Sequence, residues 1–159
     1  MLHRSLTPLA VLASAVALGI AGCGGGDDST SASTTTALTA EQWATQADQI
    51  CAQGDKDQRA AVSQFLQEQG IGPNDQPTGA QFQQLATDVV LPSIEDQINA
   101  VKALPIPEDA SDQVQQFLDQ AQADLDKLKA DPTQIINESA FDDTEKLARG
   151  LGLQNCASG

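Results

Sequence analysis

From Thr39 to Leu151 the apolar residues recur at spacings of three and four, and no stretch alternates apolar with polar. Such a chain buries its hydrophobic side chains along helices, not on a half-exposed sheet. Thr39-Ala40-Glu41-Gln42 has the form of a capping box, with Leu38 and Trp43 at the two positions of a hydrophobic staple. Trp43, Ala47, Ile50, Val62 and Phe65, with Leu66 beside them, carry the stripe to about Gln69, and Gly54 is the point at which this helix is free to bend. The turn formers between Gly70 and Pro77 end it.

A second box, Thr78-Gly79-Ala80-Gln81, opens the next helix, whose apolar face is Phe82, Leu85, Ala86, Val89, Val90, Ile94, Ile98, Val101 and Leu104. Pro92 falls inside that pattern, and because proline lacks a backbone donor and collides with the preceding turn, a kink or two consecutive helices is expected there. Leu104-Pro105-Ile106-Pro107 forces extended backbone. Pro107 suits the first position of a third helix, with Glu108, Asp109 and Asp112 at its positive end and Lys127 and Lys129 at its negative end before Pro132. Its stripe is Val114, Phe117, Leu118, Ala121, Leu125 and Leu128. Ile135 and Ile136 are expected to cap the core from a short turn. A last helix is expected from near Ser139 through Phe141, Thr144, Leu147 and Ala148, closing at Gly150 with Leu151 behind it. The expected fold is all-α, an antiparallel bundle of about four helices over residues 39–159.

The first 38 residues are of another kind. Met1-Leu2-His3-Arg4 gives a positive start, and from Leu9 to Gly22 every residue is apolar or small except Ser14. A spanning helix needs roughly 20 apolar residues to cross about 30 Å of hydrocarbon, and this run is shorter and stops at a glycine cluster, as the core of an export signal does. Ile20-Ala21-Gly22-Cys23 supplies small residues before a cut and a thiol after it, the requirements of a lipoprotein signal peptidase. The competing A-x-A pattern, Ala13-Ser14-Ala15, lies inside the apolar core instead of after it. Residues 1–22 therefore read as a cleaved signal peptide with Ile20, Ala21 and Gly22 as recognition residues. Cys23 reads as a diacylglyceryl cysteine, and residues 23–38 as the lipidated residue and a flexible Gly/Ser/Thr tether with an r.m.s. span of roughly 20 Å. Two or more acyl chains, at about 0.8 kcal/mol per buried CH₂, hold a protein stably on a membrane, here the outer face of the cell membrane.

With Cys23 acylated, Cys51 and Cys156 remain, an even number in an oxidising compartment. They are expected to bond to each other and staple the two ends of the domain. The alternative of a redox pair prefers C-x-x-C spacing and a neighbouring cation, and neither is present.

Cleavage removes the single histidine and one of the eight basic residues and leaves all 22 acidic ones. That balance disfavours nucleic acid and anionic headgroups as partners, so attachment falls to the acyl chains on Cys23. Without histidine there is no Ser-His-Asp triad, no His-ligated zinc, no E-x-x-H di-iron site and no His-ligated heme, and neither a Walker A nor a dinucleotide fingerprint occurs. No metal and no cofactor is expected. The paired carboxylates, Asp55 with Asp57, Glu108 with Asp109, Asp124 with Asp126 and Asp142 with Asp143, match no calcium loop and read as solvated faces. Trp43, Phe65, Phe82, Phe117 and Phe141 read as core packing, and Asn137-Glu138-Ser139 is a glycosylation sequon of low specificity.

The lipobox, the tether, Ala47-Asp48-Gln49-Ile50-Cys51, the segment from Leu91-Pro92 to Pro105-Ile106-Pro107, and the ending Gly152-Leu153-Gln154-Asn155-Cys156 together resemble a group of small actinobacterial lipoproteins with a helical extracytoplasmic domain. The resemblance implies location and architecture and brings no catalytic residues. The functional expectation is a non-catalytic binding or scaffold module whose partner is an envelope protein or a small apolar ligand. A lipid or glycolipid carrier is the alternative, and an enzyme working with carboxylates alone comes third.

Replacing Cys23 with Ser is expected to abolish incorporation of radiolabelled palmitate and to leave an uncleaved precursor. Cleavage and labelling that persist in the variant would remove Cys23 as the lipidated residue.

Overall fold

A computed structural model describes residues 38–137 and 139–158. The signal segment, the recognition residues Ile20, Ala21 and Gly22, the lipidation residue Cys23, the tether up to residue 37, and Glu138 of the sequon lie outside the described residues. Among those described the protein is all-α, without strands. The elements are α1 (Ala40–Glu68), α2 (Gly79–Leu85), a π-helical turn (Ala86–Val90), α3 (Leu91–Lys102), a 3₁₀ turn (Glu108–Ala110), α4 (Ser111–Ala130), a second 3₁₀ turn (Pro132–Ile136) and α5 (Asp142–Gly150). Because α2, the π turn and α3 follow one another without a break, the bundle has four principal helices.

Both capping boxes form. The Thr39 and Thr78 hydroxyls accept from the Gln42 and Gln81 amides, and each glutamine side chain accepts from the threonine backbone N–H in return. These contacts satisfy amides that a helix start leaves without partners. Helix α1 ends in a Schellman turn: Gly70, at φ +68°, donates to Gln67, and Ile71 donates back to Leu66.

Pro92 is accommodated by a change of hydrogen-bond register, not by a break. The Leu91 N–H reaches back five residues to the Ala86 carbonyl, so the missing donor and bulky ring of Pro92 enter a helix that has already been rewound.

The third helix starts later than its sequence indicates. Pro107 is fully buried and extended, at φ −70° and ψ 138°, and precedes a 3₁₀ turn; α4 begins only at Ser111. The last helix also starts late, at Asp142; it ends at Gly150 with Leu151 behind it, as expected, and the residue that turns left-handed is Gly152, at φ +80°. Leu153 N–H donates to the Ala148 carbonyl and Gly152 N–H to that of Arg149, the paired bonds of a Schellman motif, which turns the fully buried Leu153 back into the core. Of the two isoleucines expected to cap the core, Ile135 is half-buried against α3 and α4, whereas Ile136 stands 72% exposed.

The core has two parts. One joins the start of α1 (Trp43, Ala47, Cys51), the end of α3 (Val101), the start of α4 (Val114, Phe117, Leu118) and the end of α5 (Ala148) with Leu153. The other joins the start of α3 (Leu91), the end of α4 (Leu125, Leu128) and the start of α5 (Phe141). Starts meet ends between α1 and α3, α3 and α4, and α4 and α5, which is the antiparallel up-and-down order of a bundle. Two cross-links set the register of α3 on α4: Lys102 Nζ donates to Gln122, and two turns away in opposite directions Lys129 Nζ donates to Glu95 at 2.6 Å. Trp43 meets Phe117 edge to face, with ring centroids 6.4 Å apart.

Cys51 and Cys156 are bonded across a sequence separation of 105. Beside the bond the Asp48 carboxylate accepts from the Asn155 backbone N–H at 2.6 Å and from its side-chain amide at 2.7 Å. The segments around Ala47–Cys51 and Gly152–Cys156 thus meet at one clamp between the first helix and the chain end.

Closing a loop of about 100 residues contributes up to roughly 4.7 kcal/mol through the unfolded state. Reduction, or paired Cys51→Ala and Cys156→Ala replacement, is expected to lower the urea midpoint accordingly, followed by the fluorescence of Trp43, the protein's single tryptophan. An unchanged midpoint would contradict this role.

Candidate functional site

The two core clusters leave space between α1 and α5. There the chain forms a cleft of about 460 Å³, within the range of small-ligand sites. Its floor is made by the inward stripes of α3 and α4, namely Ile94, Ile98, Val101, Phe117, Leu118 and Ala121. One wall is α1, through Cys51, Asp55, Gln58 and Arg59; the other is the second 3₁₀ turn and α5, through Ile135, Ile136, Ala140, Phe141, Thr144 and Glu145. Cys51 and Cys156 close one end together with Asn155 and Ser158, so the disulfide is also part of the cleft lining.

Gly54 has a use other than bending α1. A Cβ at that position would overlap the side chain of Gln97 on α3, so the missing side chain lets the two helices approach at the cleft edge. Gln97 itself lines the cleft.

The α5 wall is held from behind by a buried carboxylate. Asp124, 3% exposed, accepts from the Thr144 hydroxyl at 2.7 Å, from Lys127 Nζ at 2.8 Å and from Gln120 Nε2 at 2.9 Å. Burial pushes its pKa up, but the hydrogen bonds from Lys127, Thr144 and Gln120, with the Lys127 charge, outweigh that and hold it below its ordinary value. The reading of Asp124 and Asp126 as a solvated pair is therefore corrected. Two residues apart on a helix they point in different directions, so Asp126 stays exposed while Asp124 turns inward. The signal was available in the sequence: Asp124 lies three residues after Ala121 and four before Leu128, on the buried stripe. Its partner Thr144 is twenty residues away and follows only from the packing of α5 on α4.

Glu108, Asp109, Asp142 and Asp143 are exposed, as is Asp57, while Asp55 is half-buried at the cleft mouth. Among the described residues no group of three or more His, Cys, Asp or Glu side chains is placed to hold a metal ion. No helix among them is long and apolar enough to cross a membrane. Of the aromatic residues read as packing, Trp43 and Phe65 are buried and Phe82 is half-buried; Phe117 and Phe141 pack in the core and also face the cleft. The cleft was not legible in the sequence, because it depends on which side chains fail to meet. Comparison with protein-family models, curated proteins and solved structures yields no match for this chain.

Because the folded pKa of Asp124 lies below its ordinary value of 3.8, its contribution is present above that value and is lost as pH falls through the folded pKa. Asp124→Asn is expected to cost about 1–3 kcal/mol at neutral pH, and the gap from the parent protein should close in acid below the folded pKa. Urea titrations at both pH values measure this, and a gap that does not change with pH would show that the carboxylate charge plays no part.

Proposed function

We propose that this protein is a lipid-anchored, exported, non-catalytic binding module that holds a small apolar ligand in the cleft between α1 and α5. The observation that carries the reading is the cleft's chemistry: an apolar floor of isoleucine, leucine, valine and phenylalanine, with the charged and amide side chains on its walls and ends. Attachment through Cys23 is supported by the lipobox and tether, and it would keep the module next to a source of apolar molecules.

Two carboxylates do reach the rim from opposite walls, Asp55 and Glu145, an arrangement that an enzyme using carboxylates alone would need. Each has an arginine one turn along its own helix, Arg59 lying 3.9 Å from Asp55 and Arg149 3.2 Å from Glu145. The pattern supports a rim that balances its own charge better than a pair of groups exchanging protons with a substrate. The ligand-binding reading stands ahead of the scaffold reading because a partner protein has no need of an apolar cleft between two helices.

Native mass spectrometry of the protein purified from membranes under mild conditions is expected to show one bound apolar molecule per chain. Ala140→Trp, which places a large ring at the half-buried cleft edge, is expected to cut occupancy about tenfold or more while circular dichroism stays unchanged. A folded protein that neither retains nor takes up an apolar molecule would end this proposal.

A further inference from the structure

The charge at the cleft mouth differs from that of the rest of the chain. The whole sequence carries a formal net charge of −14, yet each carboxylate that lines the cleft, Asp55 on α1 and Glu145 on α5, has an arginine one turn along its own helix, Arg59 within the lining and Arg149 outside it. Each pair is an i,i+4 contact within one helix, so the charges at the mouth largely offset one another and present no net field of either sign to a headgroup. What remains is neutral and hydrogen-bonding. Gln58 and Gln97 line the mouth and make no side-chain hydrogen bond to another described residue, and each amide offers donors and an acceptor. At the end of the cleft, the Asn155 backbone N–H and side-chain N–H are engaged by Asp48, and the Asn155 side-chain carbonyl accepts from no other described residue.

Resting on the proposal that the cleft binds an apolar ligand, we infer that its ligand is an uncharged amphiphile: a hydrocarbon body with a hydroxylated, glycosyl-like or glycerol-like head. The head's hydroxyl groups exchange hydrogen bonds with the amides at the rim. A charged head would meet its own sign as well as the opposite one at the mouth, and so would gain little net attraction to offset the water it loses beside apolar surface. The chain's overall negative field adds to the disadvantage of anions.

The test uses the full lipidated protein in nanodiscs and three photoreactive probes with the same diazirine-bearing dodecyl chain, carrying a glucosyl, a carboxylate or a trimethylammonium head. After irradiation, peptides are mapped by mass spectrometry. The glucosyl probe is expected to label the α3 and α4 peptides that contain Ile98 and Phe117 about tenfold more than either charged probe, and Ala140→Trp is expected to remove that labelling. Preference for a charged probe, or equal labelling by all three, overturns the inference about the head while the cleft remains a binding site. No labelling of these peptides by any probe overturns the cleft itself. Replacing Gln58 and Gln97 with Leu should then bring the three probes within about twofold of one another, and an undiminished glucosyl preference in that variant would remove the amides from recognition.

Discussion

Helix α5 has nine residues, fewer than the roughly 12–15 that a helix needs to persist alone in water, so its position depends on what ties it down. The strongest tie is the bond between Cys51 and Cys156, reached because the turn at Gly152 sends Leu153 into the core and brings Asn155 and Cys156 against α1. Asp48 adds hydrogen bonds to the same chain end. At the other end of α5 the Asp124–Thr144 hydrogen bond holds the helix to α4. Between these two anchorages lies the cleft wall, which can stay apart from α1 because it is fixed at its ends and does not have to collapse onto α1 to find its place.

The small residues on the buried stripes show how one composition produces both close packing and open space. Ala47 and Ala148 are fully buried where α1, α4 and α5 converge, and Ala86 is buried in the π turn; at these positions a short side chain lets backbones approach. Ala121 is different. It is also buried, but it forms part of the cleft floor. Alanine allows close approach where the partner helix is tied near, as at the disulfide end, and leaves a hollow where the partner stands off.

The helices were legible in the sequence because their signals are local. Thr39, Thr78, Pro132 and the apolar stripes act within a turn or two of themselves, and the two cysteines followed from count and compartment. The sequence reading failed where a residue answers to something distant. Pro107 looks like a helix start, but its burial places it before a 3₁₀ turn instead. Helix α5 ends at Gly150 as its sequence indicates, but the left-handed turn that follows falls on Gly152, which lets Leu153 reach the core. Pro92 announced a disturbance, and the helix met it by widening the turn just before it, Ala86–Val90, so that the apolar face survives on both sides of it. The cleft rests on the spacing of α1 from α5, which no local pattern encodes.

A bundle that keeps an apolar hollow gives up part of the packing that a filled core would supply. By the cavity relation of about 24 cal/mol per Å³, an empty interior space of a few hundred cubic ångströms would cost several kcal/mol, although a cleft open to water costs less because solvent enters it. A cross-link worth up to roughly 4.7 kcal/mol is of the same order, and it acts through the unfolded chain without needing any side chain to fill the hollow. Had the same stability come from larger residues at Ala121 or Ala140, it would have closed the site. The disulfide therefore does more than stabilise a small domain: it lets the floor of the cleft remain apolar and unfilled while the fold stays intact.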